Sequence, residues 1–561
     1  VNRSGCRAEH GVVDHDSHES AGGAPADGDA SRDLGGAARR TDTLSPGEPI
    51  RGGLAVLIAL VAAAAALAVG HLIAGLVDPS SSPFLAVGNT AIDLTPAPVK
   101  DFAIATFGTA DKLALLIGMA LVITAFAAIV GLLSRRSAVV GMSAIALFGV
   151  LGIAAVLARP DFGPLSMLAP VASLVAGVVA FRLLHRMAAA AAESEVRTAP
   201  GEQASGPDRR TVLISTGAVA LGAGAAGLGG QALAGSVDPA AQRAEIGELV
   251  PAQATPDLPA GADFAKVGTP TFITPNEDFY RIDTALRVPR IRVEDWRLRI
   301  HGMVDRELNL TFDDLRNRPL VEKPVTLTCV SNEVGGDLVS TSNFIGVPLS
   351  EILAEAGVRA GAEQLFSTSA DGWTAGTPIE ALQEVERGAL LAIGMNGEPL
   401  PAEHGFPVRM VVPGLYGYVS ATKWLVDAEV TTFDRTAYWE DRGWSRFGPI
   451  KTMSRIDRPT AFERVSAGRL TAAGIAWAQH TGIDRVEVRL DGGQWQEAQL
   501  STEVNDQSWR MWRIELEVPS GSRQLECRAT DRSGYTQTEE RVSPVPDGAT
   551  GWHSVLFTAN G

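Results

Sequence analysis

The chain has 561 residues, 46% of them hydrophobic and only 20% charged, yet its formal net charge is −16. That length exceeds what one core usually holds, and the imbalance implies an apolar section joined to an acidic one. The acidic surplus excludes a general nucleic-acid binder, which needs clustered Lys and Arg. Three scattered cysteines, Cys6, Cys329 and Cys527, exclude a disulfide framework, a zinc ribbon and c-type haem attachment.

Residues 1–50 carry almost no large apolar side chains and read as a disordered cytoplasmic tail. His10, His15 and His18 fall within it, without partner ligands at a defined spacing. Five runs then lack Asp, Glu, Lys and Arg: Leu54 to Val77, Leu113 to Leu133, Ser137 to Ala158, Phe162 to Phe181 and Thr211 to Val237. Each reaches the roughly 20 residues with which a helix crosses about 30 Å of hydrocarbon. The pattern predicts four transmembrane helices over 51–190, a cytoplasmic loop over 191–210 and a fifth helix over 211–237. Arg135, Arg136, Arg182, Arg186, Arg197, Arg209 and Arg210 lie on one side of these spans, while Asp78, Asp93, Asp101, Arg159 and Asp161 lie on the other. The positive-inside bias places everything after Val237 outside the cell. His71 and His185 sit near span ends, as candidate haem ligands or interfacial side chains; no paired His faces them at matching depth, which favours the latter.

Arg209 and Arg210 directly precede the fifth run, as ordinary positive flanking or as a twin-arginine export address. Export of that kind moves folded, cofactor-loaded domains, so the second reading anticipates a cofactor downstream. Residues 238–262 are rich in Pro, Ala and Gln and read as a linker. Over 263–450 short apolar runs alternate with helical patterns such as "PLSEILAEAGV", which predicts an α+β domain. Over 451–561 strands dominate: "RVEVRLDGGQWQEAQL" alternates around Asp491, Gly492 and Gly493 as a hairpin does, and an immunoglobulin-like β-sandwich is expected. Cys527 alternates with Leu525 and Ala529 as a small core residue.

Cys329 sits where the β-rich "VTLT" gives way to the polar turn "SNEVGG", at a strand end where sites tend to be built. Taken alone it is a buried structural thiol, a nucleophile, a redox thiol or a soft-metal ligand. The segment "EHGFPVRMVVPGLYGYVSATKWL" adds His404, Arg409 and Lys423, a donor set suited to an anion. Arg409 is flanked by apolar residues, so it is expected to be buried and to need a partner, either a carboxylate or a phosphate.

"TCVSN", "MNGEPLPAEHGFPVRMVVPG", "TKWL" and "GIAWAQHTGIDRVEVRLDGGQW", in this order and spacing, resemble the sulfite oxidase family of molybdenum enzymes from about Pro270 onward, and the apolar section resembles bacterial membrane-anchored members. The resemblance implies a multi-domain protein: an α-helical membrane region, an α+β molybdopterin-binding domain and a dimerising immunoglobulin-like domain. It implies a molybdenum-molybdopterin cofactor whose metal takes Cys329 as its single protein ligand, beside two pterin dithiolene sulfurs. Arg409 and Lys423 would grip the pterin phosphate with His404 and Thr422, while Asn276, Phe279, Tyr280 and Asp371 would complete the cofactor contacts. The chain carries no haem, flavin or iron–sulfur ligand motif, so a separate redox partner such as a cytochrome or quinone is expected.

The chain departs from the family's sulfite pocket. The loop after the cysteine holds Glu333 and no Arg, "GIAW" is followed by Gln479 and His480 rather than an arginine, and Trp444 stands where a tyrosine is expected. Fewer guanidinium groups and an added carboxylate disfavour a dianion. Two-electron oxygen-atom transfer on a neutral acceptor such as a sulfoxide or N-oxide is the favoured expectation. True sulfite oxidation and a non-catalytic, degenerate binding domain are the alternatives.

Overall fold

The computed structural model describes residues 49–96, 99, 102, 106–107, 111–159, 163–197 and 207–561. Cys6, His10, His15, His18, Asp101 and Asp161 lie outside them. Apolar helices come first: α1 (Gly52–Val77), α2 (Pro83–Leu94), α3 (Asp111–Leu133), α4 (Ala138–Leu157), α5 (Leu168–Arg197) and α6 (Arg209–Ala234). Five of them, all but α2, are long and apolar enough to cross a membrane.

Small residues let these helices approach closely. A Cβ on Gly75 of α1 would lie 2.8 Å from the Gly230 carbonyl oxygen of α6, and one on Gly131 of α3 would lie 2.7 Å from that of Ala55. Outward, Leu121, Val122, Leu221 and Leu228 are each more than 60% exposed, an apolar rim that water would penalise. Two features differ from the sequence reading. Helix α2 is amphipathic and too short to have stood out, and α5 runs on to Arg197, so Arg182 and Arg186 lie on the helix rather than in a loop.

The bundle has two chemically distinct ends. At one, Arg135 Nε donates to the Ile50 carbonyl (2.8 Å) and the side chain of Asp208 accepts from Thr211 N (2.8 Å) to cap α6. At the other, the bundle meets the following domain: Lys112, Arg159 and Asp93 bond to Asp283, the Asp371 carbonyl and Arg442. His185 bonds the Ser134 carbonyl near the first end, whereas His71 lies close to Gly230 toward the second, so the two are not a facing pair.

The segment read as a linker is not free chain. Helix α7 (Pro239–Ile246) forms on the Asp238 cap, Ile246 is buried in the next core, and Gln253 bridges to Val321. Composition missed this because two buried apolar residues of that core, Ile246 and Leu249, and a single bridge give no periodic signal.

The α+β domain holds two sheets. One runs β2 (Leu308–Thr311), β1 (Arg297–Gly302), β10 (Leu425–Thr431), β5 (Gln364–Ser369) and β6 (Thr374–Pro378), with β1 parallel to β10. The other runs β3 (Val321–Thr328), β4 (Val339–Pro348), β7 (Leu390–Met395) and β8 (Glu398–Pro399), with β9 (Arg409–Val411) also on β7. "PLSEILAEAGV" folds as α8 (Leu349–Ala356). The C-terminal sandwich has a sheet β11 (Met453–Arg458), β13 (Gly468–Trp477), β17 (Arg510–Val518), β16 (Gln499–Leu500) facing one of β12 (Arg464–Ser466), β19 (His553–Asn560), β18 (Gly521–Asp531), β14 (Ile483–Leu490), β15 (Gln496–Glu497). The expected hairpin forms as β14 and β15, and the chain then passes to the other sheet through β16. Cys527 is fully buried in the sandwich core.

The two domains share a core that includes Phe272, Val339, Trp477, Trp509 and Met511. Strand β3 is braced across it: Thr326 N donates to the Gln507 carbonyl (3.0 Å), and Thr326 accepts from Trp509 N at its hydroxyl (2.7 Å) and from Gln479 Nε2 at its carbonyl (2.9 Å).

Candidate functional site

Cys329 follows the last residue of β3 and is half-buried, its Sγ 2.9 Å from Ser331 Oγ. Burial pushes its thiol above the ordinary value, which leaves a thiol rather than a thiolate until a cation compensates it. Among the described residues no three His, Cys, Asp or Glu side chains cluster as a metal-ligand set. A metal at Cys329 would therefore take most of its ligands from elsewhere.

Around the thiol stand the donors that the sequence singled out. Tyr280 feels both Cys329 and Arg409, and burial drives its phenol well above the ordinary range. Phe279 stacks on Tyr280 at 5.4 Å and meets the His404 ring edge-on at 5.4 Å. Arg409, on β9, is 3% exposed, and its guanidinium bonds only carbonyl oxygens, those of Met410 (3.5 Å), His404 (3.2 Å) and Ala421 (3.4 Å). No carboxylate pairs with it among the described residues. Burial lowers it to about 10. His404 is held at about 3 by burial and by the Arg409 and Lys423 charges, so its imidazole is neutral at physiological pH. His404 Nε2 lies 3.1 Å from the Asn276 carbonyl, which leaves Nδ1 buried without a partner. Asn276 bonds Glu398 (2.7 Å) and Asn396 (2.9 Å), which fixes the loop that carries Phe279. Thr422 is fully buried and shares its hydroxyl with Ser367 (2.7 Å).

Lys423 bonds the Glu403 carbonyl (3.0 Å) and Asp283 (3.3 Å), and burial pulls it to about 8 against the opposing pull of that carboxylate. Asp283 was not foreseen. Burial acts to raise it, but Lys423 and Lys112 outweigh that and hold it far below the usual carboxylate range. It binds Arg281 (2.8 Å) as well, and Lys112 Nζ of α3 at 2.6 Å. Only its place three residues after Tyr280 hinted at it, since ion pairs across 140 and 171 positions leave no local pattern. Asp371 turns toward the same junction, its carbonyl accepting from Arg159 (3.3 Å) and its carboxyl raised by burial.

Among the described residues no hydrogen bond, ion pair or ring contact joins the three residues expected in the substrate pocket. Glu333 is exposed, His480 pairs with Glu384 at 3.0 Å, and Trp444 packs against Tyr418 and Trp439. Gln479, which occupies the position expected for an arginine, turns inward to brace β3. Two guanidiniums near these loops are already neutralised: Arg455, which donates to the Gly336 carbonyl (2.8 Å), pairs with Asp457 (2.7 Å), and Arg387 pairs with Glu384 (3.0 Å).

A buried guanidinium without a carboxylate, a lysine beside it and an unpartnered imidazole nitrogen leave one phosphate-like group unaccounted for, next to a soft donor. Known proteins supply it. Residues 285–439 match the family described as "Oxidoreductase molybdopterin binding domain", and 449–559 the family described as "Mo-co oxidoreductase dimerisation domain". Residues 285–559 belong to the sulfite oxidase family of molybdopterin oxidoreductases. Mitochondrial sulfite oxidase of Macaca fascicularis is 33% identical over 330 residues, 49% of this chain and 59% of that protein. Sulfite oxidase of Gallus gallus is 29% identical over 336 residues, covering 50% and 72%. An inducible NADH nitrate reductase of Glycine max is 28% identical, covering 48% and 38%. The sulfane dehydrogenase SoxCD structure from Paracoccus pantotrophus aligns with a TM-score of 0.46 at 24% identity, covering 52% and 84%. The chain thus spans 59% of the mitochondrial sulfite oxidases it matches. The cofactor of this family is molybdenum-molybdopterin, and the donor set around Arg409 fits its phosphate while Cys329 fits its metal.

Proposed function

We propose that the chain is a membrane-anchored, extracytoplasmic molybdopterin oxidoreductase that transfers oxygen atoms to or from a neutral substrate rather than sulfite. The carrying observation is a lone half-buried thiol beside a buried arginine with no carboxylate. Cys329 would ligate the metal, and Arg409, Lys423, His404 and Thr422 would hold the pterin phosphate. Phe279 and Tyr280 would wall the pterin, Asn276 would fix their loop, and Asp371 would add a contact from the membrane side. When bound, the cofactor supplies two-electron oxygen-atom transfer. The protein's part is to exclude water with the aromatic wall, to keep the phosphate charge paired, and to brace β3 through Thr326 so that Cys329 holds its place.

Membrane anchoring is supported by the five apolar helices and their exposed leucine rim. The orientation is supported by the bundle's two ends: arginines cluster away from the catalytic domain, as the positive-inside bias requires. Arg209 and Arg210 open α6 in the manner of a twin-arginine signal. The dimerisation-type sandwich supports a homodimer. Electrons would pass to a cytochrome or quinone.

The choice against sulfite rests on Gln479 in place of an arginine, on Glu333, and on Arg455 and Arg387, which already pair with Asp457 and Glu384. Glu333, Trp444 and His480 are the residues we assign to the mouth of the site. Metal analysis with a dye-linked screen tests both claims. About one molybdenum per chain, lost in Cys329→Ser, is expected, with turnover of sulfoxides or N-oxides exceeding that of sulfite. Absence of metal after cofactor-competent expression would favour the non-catalytic reading, and rapid sulfite turnover would overturn the substrate argument.

A further inference from the structure

A cavity of about 630 Å³ opens within the helix bundle at its catalytic end. Its walls are aliphatic, formed by residues such as Leu67 of α1 and Leu116 and Ile123 of α3, and it reaches Leu286 of the catalytic domain. Its polar groups are few: His71, Ser82, Gln231, Arg287 and Thr124, whose hydroxyl is spent on the Ala120 carbonyl of its own helix (2.7 Å). The side chains of His71, Ser82 and Gln231 make no hydrogen bond among the described residues; Ser82 is only 2% exposed, His71 is half-buried and Gln231 is exposed at the cavity's rim. Arg287 already donates to the Ala234 carbonyl (3.1 Å). Polar side chains without partners in an apolar bundle are costly, and an apolar pocket with a few convergent polar groups is the usual form of a small-molecule site.

We propose that this cavity binds a quinone, with the ring oxygens at His71, Gln231 and Ser82 and the isoprenoid tail between α1 and α3. The inference rests on the oxidoreductase reading above and identifies its electron partner. Two neutral oxygens suit an imidazole, an amide and a hydroxyl, and three of the polar groups in the cavity are of that neutral kind. Ion pairs also link the cavity's end of α3 to the candidate cofactor site. Lys112, one turn before Leu116 on α3, bonds Asp283, and Asp283 bonds the phosphate-site Lys423. The stoichiometry closes: converting X and water to XO releases two electrons and two protons, and reducing a quinone to its quinol consumes both. The reverse direction balances equally.

The test is photolabelling of the full-length, molybdenum-loaded protein in lipid nanodiscs with a short-tailed azidoquinone, read by peptide mass spectrometry. Label is expected on residues 60–71 or 116–127, displaced by excess decylubiquinone. It should fall about tenfold, ~1.4 kcal/mol of binding, in both Ala120→Phe, which fills the cavity, and His71→Leu, which leaves its volume nearly intact. Leu121→Phe, on the exposed face of α3, should label as wild type. Label spread evenly over the exposed helix faces, displaced by phospholipid rather than by quinone, or unchanged in both cavity variants would overturn the proposal. Dye-linked turnover without displaceable label sinks the quinone site and leaves the oxidoreductase standing. Displaceable label on a chain that holds no molybdenum keeps the site and removes the oxidoreductase reading.

Discussion

The helix bundle and the catalytic domain solve opposite problems with opposite materials. In the bundle the backbone satisfies itself and small residues bring helices together, so Gly75 and Gly230 do structural work by what they lack. In the catalytic domain large side chains fill the core, with Trp296, Phe344 and Trp424 at most 1% exposed. The polar groups differ as well. Buried Arg409 stays cationic at neutral pH at the expense of desolvation and without a carboxylate partner among the described residues, whereas Lys423 is paired with Asp283. A tightly packed scaffold is thus left electrostatically incomplete at one place, and that incompleteness is the signature of the site.

This contrast is most directly broken by removing the unpaired charge. Arg409→Met should lower retention of the cofactor about 100-fold, equivalent to ~3 kcal/mol at the upper range for a charged hydrogen bond. The apoprotein should melt no lower than wild type, because the substitution removes a buried charge that has no carboxylate partner. Cofactor content after gel filtration and apoprotein thermal melts measure the two effects, and loss of both together would mean that Arg409 is purely structural.

Next in size is pH. Lys423 titrates near 8 in the apoprotein, below its unfolded value of 10.5, so it is charged below about pH 8 and neutral above. A dianionic phosphate binds the charged form, hence cofactor affinity is full below pH 8 and falls with rising pH, at most about tenfold per unit for one proton. The stability term has its own sign. A lysine with a depressed folded-state pKa favours folding more as pH climbs from about 8 to 10.5, so apoprotein stability from this group should rise while cofactor affinity falls. Reconstitution of apoprotein at pH 7 and 9 beside denaturation at the same values reads both trends.

In the bundle, Gly230→Leu should cost about 1–3 kcal/mol, because its Cβ would lie 2.8 Å from the Leu72 nitrogen and α1 and α6 must separate. Molybdenum content should hold, since the change is confined to the helices; detergent-solubilised melting and metal analysis check this. The smallest effect is expected at the junction. Lys112→Gln removes one of three cations around Asp283, which is itself buried but keeps Lys423 and Arg281, so a loss of about 1 kcal/mol is expected. Hydrogen exchange around Asp283 should quicken slightly without loss of metal.

What the sequence revealed divides along the same line. The apolar runs were legible because a membrane-length helix is a compositional statement, and the sandwich because strict alternation around Asp491 to Gly493 is a periodic one. Cys329, His404, Arg409 and Lys423 were grouped in advance through their motifs, and in the structure Tyr280 feels both Cys329 and Arg409 while the charges of Arg409 and Lys423 act on His404. Asp283 and Lys112 were invisible, because an ion pair spanning 171 positions has no local periodicity. Helix α2 was missed for its brevity, and α7 because a Pro- and Ala-rich stretch looks like a linker until Ile246 finds a core. Glu333, Trp444 and His480 were grouped from the family resemblance; in the structure Trp444 packs against Tyr418 and Trp439, and His480 pairs with Glu384.

The central claim is that the thiol ending β3 is the protein's own bond to the metal. X-ray absorption at the molybdenum edge on intact protein, compared with Cys329→Ser rescued by cofactor reconstitution, tests it most directly. One sulfur scatterer more in the wild type than in the variant is the predicted result. The same sulfur count in both would contradict it.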